Sequence, residues 1–314
     1  MPPCRRSPRL VPTALLNGTL LAGAILAAGT TALGQSDRLS KVTIETTDLG
    51  NGLYMLVGAG GNMGLSVGPD GTFLIDDQYP QLTDKIKAAI ATITDKPVRF
   101  IVNTHLHGDH TGGNETLAGD GAVIVAHDNV RRRMSAVQIS KAFNDTTPPA
   151  PHAALPVLTF AESITLHLND EMVLVRHTPP AHTDGDAVIL FTGANVLHVG
   201  DLYFNGLYPF IDVDSGGSID GYVAAIDMIL PFIDDATKVI PGHGPLSDKA
   251  GLKGFRDMLA DIAGTVRKLA ADGKSKDEVI AAKPTATYDA KWGNGFLKPD
   301  QFVSMVYDDV TMAR

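Results

Sequence analysis

Cysteine is all but absent: Cys4 is the only one in 314 residues. That excludes a disulfide-stapled scaffold, and it leaves no thiolate to hold a metal if the first residues are removed. Positive charge is also short, with 26 Lys and Arg against 35 Asp and Glu, for a net charge of −9. An acidic balance of this size disfavours nucleic acid as a partner. Short-period repeats and low-complexity linkers are missing too. What remains is ordinary globular composition, 44% hydrophobic and 19% charged, enough for one large core.

No apolar run reaches the ~20 residues that a spanning helix requires. The longest, residues 14–29, covers about 16 positions and is interrupted by Asn17 and Thr19. It follows Arg5, Arg6 and Arg9 without an acidic residue and precedes small residues at Ala32 and Gly34. This is the pattern of a cleaved signal peptide over 1–34, which implies a periplasmic or secreted protein with no stable membrane insertion after cleavage. Arg5-Arg6 also suits twin-arginine export of a folded protein. Loss of the three arginines takes the net charge from −9 to −12, and residues 35–314 are expected to form one domain.

Past that segment, short strands separated by glycines are expected at 42–47, 53–57, 63–67 and 72–76. Helical spacing of Ile86, Ala89, Ile90 and Ile93 predicts a helix over 82–94, and 98–102 reads as a buried strand. A helix near 114–117, a strand at 122–126 and a helix from Asp128 follow, then a proline-rich surface loop over 146–156 placed near the site. Strands resume at 164–168, 172–177, 187–191 and 196–199, then a helix at 218–231, a strand at 238–240 and a helix at 248–270. Meander, helices, meander, helices packs most simply as an α/β, four-layer αββα sandwich.

The strand at 98–102 runs directly into His105-x-His107-x-Asp109-His110, with Gly108, Gly112 and Gly113 supplying turns. Imidazole and carboxylate are the ligands of open, catalytic zinc sites, and four of them fall within six residues. His182, Asp201 and His243 each lie just beyond an apolar strand with glycine or proline alongside, where convergent sites are built. The other histidines, His127, His152, His167, His177 and His198, lack such settings and read as surface or satisfied core positions, His198 having some claim to brace Asp201. Asp76 and Asp77 either brace the histidine loop or begin a turn.

This ordered set resembles the metallo-β-lactamase superfamily over essentially the whole chain past residue 34. The resemblance implies two divalent metal ions, zinc first with iron or manganese as alternatives. His105, His107 and His182 would hold one ion, Asp109, His110 and His243 the other, and Asp201 would bridge them. It also implies hydrolysis of a small-molecule substrate by a metal-bridging hydroxide, with Asp109 as the catalytic residue that orients it or passes on its proton.

The substrate is less constrained. Family lactamases with cysteine at the position of Asp201 carry a lysine three residues later, and acyl-homoserine lactonases a tyrosine; here that residue is Phe204. The segment 203–211 reads either as a substrate wall, with Tyr203, Asn205 and Tyr208 as contacts and Asn205 as an oxyanion donor, or as a loop covering the core. Export ranks β-lactam-type cyclic amides first and lactones, esters or thioesters second. An iron persulfide dioxygenase and a non-catalytic accessory protein are the readings from other classes.

Overall fold

The computed structural model describes residues 38–312; the expected signal peptide at 1–34 and Cys4 lie outside them. The chain divides between Lys41 and Val42. Residues 38–41 of the first unit form a helical turn. The second unit, from Val42 onward, holds the sheets, the helices packed on them and all seven candidate ligands.

Two sheets carry the fold. The first runs in the order β1 (Glu45–Gly50), β2 (Leu53–Val57), β3 (Met63–Gly68), β4 (Gly71–Ile75), β5 (Val98–Val102), β6 (Val123–His127), then β9 (Leu158–Phe160). A separate hairpin, β7 (Gln138–Ser140) with β8 (Asp145–Thr147), is inserted before β9. The second sheet holds β10 (Ser163–Leu168), β11 (Glu171–His177), β12 (Ala187–Phe191), β13 (Val196–His198), β14 (Lys238–Ile240) and β15 (Ser247–Asp248) in sequence order.

The inner faces meet in one apolar cluster, in which Met55, Ile75, Val102 and Val125 of the first sheet join Val173, Val175, Ile189 and Ile240 of the second. Burial of this kind contributes about 1.5–3 kcal/mol per large side chain. Helices cover the outer faces. On the first sheet lie α1 (Thr83–Ala91), α3 (Asn114–Gly119) and α4 (Asp128–Met134), while the one-turn α2 (Gly108–Thr111) sits in the loop beyond β5. On the second lie α5 (Ile219–Ile229), α6 (Lys249–Ala271), α7 (Lys276–Ala281), α8 (Asp289–Trp292) and α9 (Pro299–Thr311). The four-layer αββα sandwich is therefore the observed architecture. In α6, Leu252, Phe255, Leu259, Ile262 and Val266 recur at helical spacing and are buried, and the Asp248 side chain caps its start by accepting from the Gly251 N–H. Among the described residues no helix is long and apolar enough to cross a membrane.

Three expectations are corrected. The first strand is Glu45–Gly50, not 42–47, because Asn51 and Gly52 both take positive φ (53° and 72°). A two-residue turn of that hand sets Gly50 opposite Leu53 and fixes the pairing from there. The proline-rich stretch is not loop throughout: its start is β8, and a 3-10 turn, His152–Ala154, follows. It does lie beside the histidine loop, since the Ala154 carbonyl accepts from Asn114 Nδ2. Finally, α7 to α9 lie beyond the last predicted helix. The longest, α9, starts with Pro299 in its first turn and buries Phe302, Val303 and Val306.

Candidate metal centre

Strand direction brings the seven candidate ligands to one end of the sandwich. In the second sheet β11 and β13 are both antiparallel to β12, and β14 is parallel to β13. Their C-terminal ends, which lead to His182, Asp201 and His243, therefore share an edge. From the first sheet, β5 delivers His105 and His107, and the short α2 carries Asp109 and His110.

The ligand atoms gather in two groups, His105, His107, His182 and Asp201 in one and Asp109, His110 and His243 in the other, each set lying within 4.8 Å. Asp201 reaches into both. Its Oδ2 lies 3.4 Å from His182 Nε2, 3.8 Å from His105 Nε2 and 3.4 Å from His243 Nε2, while Oδ1 is 3.1 Å from His110 Nε2. Asp109 Oδ2 lies 3.5 Å from His243 Nε2 and 3.8 Å from His110 Nε2. Ligands of a tetrahedral ion at ~2.0–2.1 Å are separated by about 3.3–3.4 Å, so most of these spacings suit a shared cation. The exception is His107 Nδ1 to His182 Nε2, at 2.7 Å, where the rings must part slightly to share an ion.

Satisfaction of polar atoms points the same way. His105 Nε2, His110 Nε2 and Asp201 Oδ1 are buried without a hydrogen-bond partner; the last two approach closely but are misaligned for a hydrogen bond. Each such atom costs about 1–3 kcal/mol if left unmet. A divalent cation in each group would meet all three, and the donor set is one that zinc accepts.

The far nitrogen of four rings is already committed, which fixes orientation and tautomer. His110 Nδ1 bonds Asp76 Oδ2 at 2.7 Å. His105 Nδ1 lies 3.0 Å from Thr104 Oγ1, which itself donates to Asp76. His107 Nε2 bonds Asp212 Oδ2 at 2.9 Å, and His182 Nδ1 donates to the Phe210 carbonyl at 2.8 Å. The His182 turn is held by Asp186, which accepts from the His182 and Thr183 N–H groups and the Thr183 hydroxyl. Two glycines permit the close packing: a Cβ on Gly61 would sit 2.0 Å from His110 Cε1, and one on Gly242 would sit 2.0 Å from Asp201 Oδ1.

Electrostatics favour the metal-binding form of Asp201, His105 and His182, whereas at His107, His110 and His243 nearby carboxylates overcome burial and raise the imidazoles above 6.5. Burial alone would raise the Asp201 carboxyl, but His243, His110, His105 and His182 outweigh it and hold it well below the usual range. Burial lowers His105 well below 6.5, helped by the His110 charge, and brings His182 down to about 4. At neutral pH Asp201 is an anion while His105 and His182 are neutral, the forms that bind metal.

The predicted substrate contacts are elsewhere. Tyr203 and Tyr208 are buried, the first against Phe255 and the second stacked on Phe302. Their hydroxyls are engaged by Asn205 and Ser247, and by Asp289 and the Thr285 carbonyl. Asn205 uses one Nδ2 hydrogen on the Pro245 carbonyl, two residues past His243, and its Oδ1 accepts from the Tyr203 hydroxyl. The two tyrosines pack the segment 203–211 onto the helices, whereas Phe204 and Phe210 of the same segment lie against ligand rings. His198 is a buried core histidine that also accepts from the Gly200 N–H, just before Asp201. Asp76 braces the loop as one expectation held, and Asp77 accepts from the Gly113 N–H.

Sequence reasoning missed Thr104, Asp186, Phe210, Asp212 and Tyr222. The Tyr222 hydroxyl, on α5, lies 2.9 Å from both the Asp201 carbonyl and the Phe210 carbonyl that braces His182. Tyr222→Phe is expected to cost about 1–3 kcal/mol by leaving the Asp201 carbonyl unmet, the Phe210 carbonyl keeping its bond from His182, read as a lower denaturation midpoint with an unchanged m-value; an unaltered midpoint would show that the hydroxyl contributes nothing.

Comparison with known proteins agrees with this geometry. Residues 57–243 match the model of the metallo-beta-lactamase superfamily, and the chain belongs to that family. It is 28% identical to hydroxyacylglutathione hydrolase of Nitrosococcus oceani over 178 residues, covering 56% of this chain and 59% of that protein. It is 25% identical to the beta-lactamase-like protein 2 homolog of Caenorhabditis elegans over 56% of this chain and 53% of the other. The chain thus spans somewhat more than half the length of these relatives. Among solved structures, a metallo-beta-lactamase from Pontibacter korlensis shares the fold with a TM-score of 0.59 at 20% identity, over 70% of this chain and all of that one. A double mutant of the sec-alkyl sulfatase PisA1 does so with a TM-score of 0.62 at 19% identity, over 88% of this chain and 51% of its own.

Proposed function

We propose that this protein is a metal-dependent hydrolase acting outside the cytoplasm, which cleaves the acyl bond of a small molecule. β-Lactam-type cyclic amides are the first substrate class and lactones or other esters the second. The observation that carries the hydrolase reading is the pair of ligand groups meeting at Asp201, with buried ligand atoms unmet in both. His105, His107 and His182 would hold one divalent ion, Asp109, His110 and His243 the other, and Asp201 both. Divalent ions held by these residues would supply Lewis acidity and an activated water at neutral pH.

The protein's own groups prepare the site for that chemistry. Asp76, Thr104, Asp212 and the Phe210 carbonyl lock the imidazole rings before any substrate arrives. Asp201 contributes a permanent negative charge between the two groups. Asp109 is partly exposed at the cluster's edge, where its carboxylate can take a proton from the nucleophile and return it to the leaving group. The identity to a hydroxyacylglutathione hydrolase favours thioester cleavage as a second reading.

The test is hydrolysis of nitrocefin, a simple lactone and a thioester by purified protein, before and after chelation and after zinc is restored. Cleavage of at least one, lost on chelation and regained with zinc, is the expected result, and the relative rates rank the substrates. Protein carrying one iron per chain and cleaving none of them would overturn the reading in favour of oxygenase chemistry. Metal-loaded protein inert in both respects would favour an accessory role.

A further inference from the structure

Two exposed phenylalanines flank the cluster, one beside each ligand group. Phe143 sits between β7 and β8, 53% exposed. Its ring lies 4.8 Å from that of Phe210, which in turn lies 6.0 Å from His107 and 5.9 Å from His182. Beside the other group, Phe204 stacks on His243 at 4.9 Å and 17°. Phe296, 56% exposed, lies 6.4 Å beyond Phe204.

A ribbon of two three-residue strands is marginal by itself, so its placement depends on anchors. The Lys141 N–H and Nζ donate to the two carboxylate oxygens of Asp214, each at 2.8 Å. Asp214 belongs to the 3-10 turn Val213–Ser215, which immediately follows Asp212, the residue that holds His107. The hairpin is thereby fastened to the segment that positions a ligand, and Phe143 is delivered to the cluster's mouth. The two cations whose pairs anchor that turn are engaged: Arg133 makes a two-pronged pair with Asp184 at 2.6 and 2.8 Å, and Lys141 is paired with Asp214. Phe143 and Phe210 then supply the surface beside His107 and His182.

We propose that Phe143, with Phe210 and Phe296, forms an apolar clamp that selects substrates whose acyl group is an uncharged alkyl or aryl chain of several carbons. The proposal rests on the hydrolase reading, and deepens it by naming the substrate class. A carbonyl at the cluster would leave its chain lying across the Phe143–Phe210 pair, where each added methylene leaves water. Phe143 acts by contact with that chain and touches no ligand, so its loss alters selectivity more than chemistry.

Two measurements on zinc-loaded protein test this. One is kcat/KM for p-nitrophenyl esters from acetate to decanoate; the other is calorimetric binding of acetate, hexanoate and decanoate. Affinity should climb about three- to fourfold per methylene until the clamp is filled. Phe143→Ala should flatten the climb, so that decanoate loses at least about tenfold relative to acetate, and Phe143→Leu should retain most of it. No dependence on chain length in the native protein, or the same slope in Phe143→Ala, would overturn the clamp. If nothing is hydrolysed but carboxylate binding keeps a slope that depends on Phe143, the hydrolase reading falls and the clamp stands. Hydrolysis without any slope removes the clamp and leaves the hydrolase reading in place.

Discussion

Asp201→Ala is expected to leave at most one tightly held metal ion per chain and to lower kcat/KM by a thousandfold or more, on the order of 4 kcal/mol at ~1.36 kcal/mol per tenfold. The Asp201 carboxylate is within 3.1–3.8 Å of the Nε2 atoms of four histidines drawn from both groups. Among the described residues no other carboxylate is paired with histidines of both groups, Asp109 pairing with His110 and His243. Without the shared charge, two cations would repel each other at close range in a buried site. Asp201→Asn separates charge from shape, since it keeps the volume against Gly242 but not the ionised ligand. Elemental analysis together with steady-state kinetics reads both effects. Two retained ions with activity within tenfold of native would show that Asp201 is not the shared ligand.

Asp76→Ala is the second large effect. Asp76 is fully buried and accepts three hydrogen bonds, each 2.7 Å, from the Thr104 N–H, the Thr104 hydroxyl and His110 Nδ1. Truncation strands those donors, and at ~1–3 kcal/mol for each unmet group a loss of about 3–5 kcal/mol of stability is expected. Backbone strain adds to it, because Asp76 has φ of +59°, a conformation that Asp and Asn tolerate better than Ala. Denaturant unfolding of the metal-free protein measures this term. Metal affinity should fall separately by about 10–100-fold, since His110 and, through Thr104, His105 lose their orientation. Asp76→Asn should recover part of the stability while still weakening metal binding. A variant as stable as the native protein, with native affinity, would mean that the Asp76 contacts hold nothing in place.

The difference between these two residues shows what a sequence can reveal. The metal-ligand candidates stood out because each is a histidine or aspartate directly beyond an apolar strand, beside a glycine or proline, and four fall within six positions. Local spacing carried that information, and the structure brings all seven together. The braces are set by distance in the chain instead. Asp212 meets His107 across 105 residues and Tyr222 meets Asp201 across 21, and neither has a local pattern. Asp76 was visible only as the end of an apolar strand, where bracing a loop and starting a turn look alike.

The aromatic segment stayed open between two readings for a related reason. An apolar run such as 203–211 looks the same whether it lines a cleft or seals a core. The helices that decide the matter, including α9 with Phe302 against Tyr208, lie about ninety residues further on. The exposed aromatics are on pieces with little periodicity, Phe143 on a hairpin tip and Phe296 in a glycine-rich turn before α9. Strand positions were more legible, since alternation and glycine spacing govern them, although the short β7, β8, β9 and β15 were not anticipated. The one displaced strand, β1, moved because the Asn51-Gly52 turn fixes pairing from its own end.

The central claim is that two ligand groups share Asp201 around two ions. Its most direct measurement is the metal content per chain of the purified protein, repeated after exhaustive chelation and zinc titration. The account predicts about two zinc ions per chain at saturation, falling to one or none in Asp201→Ala. Saturation at a single ion in the native protein, unchanged by Asp201→Ala, would contradict it.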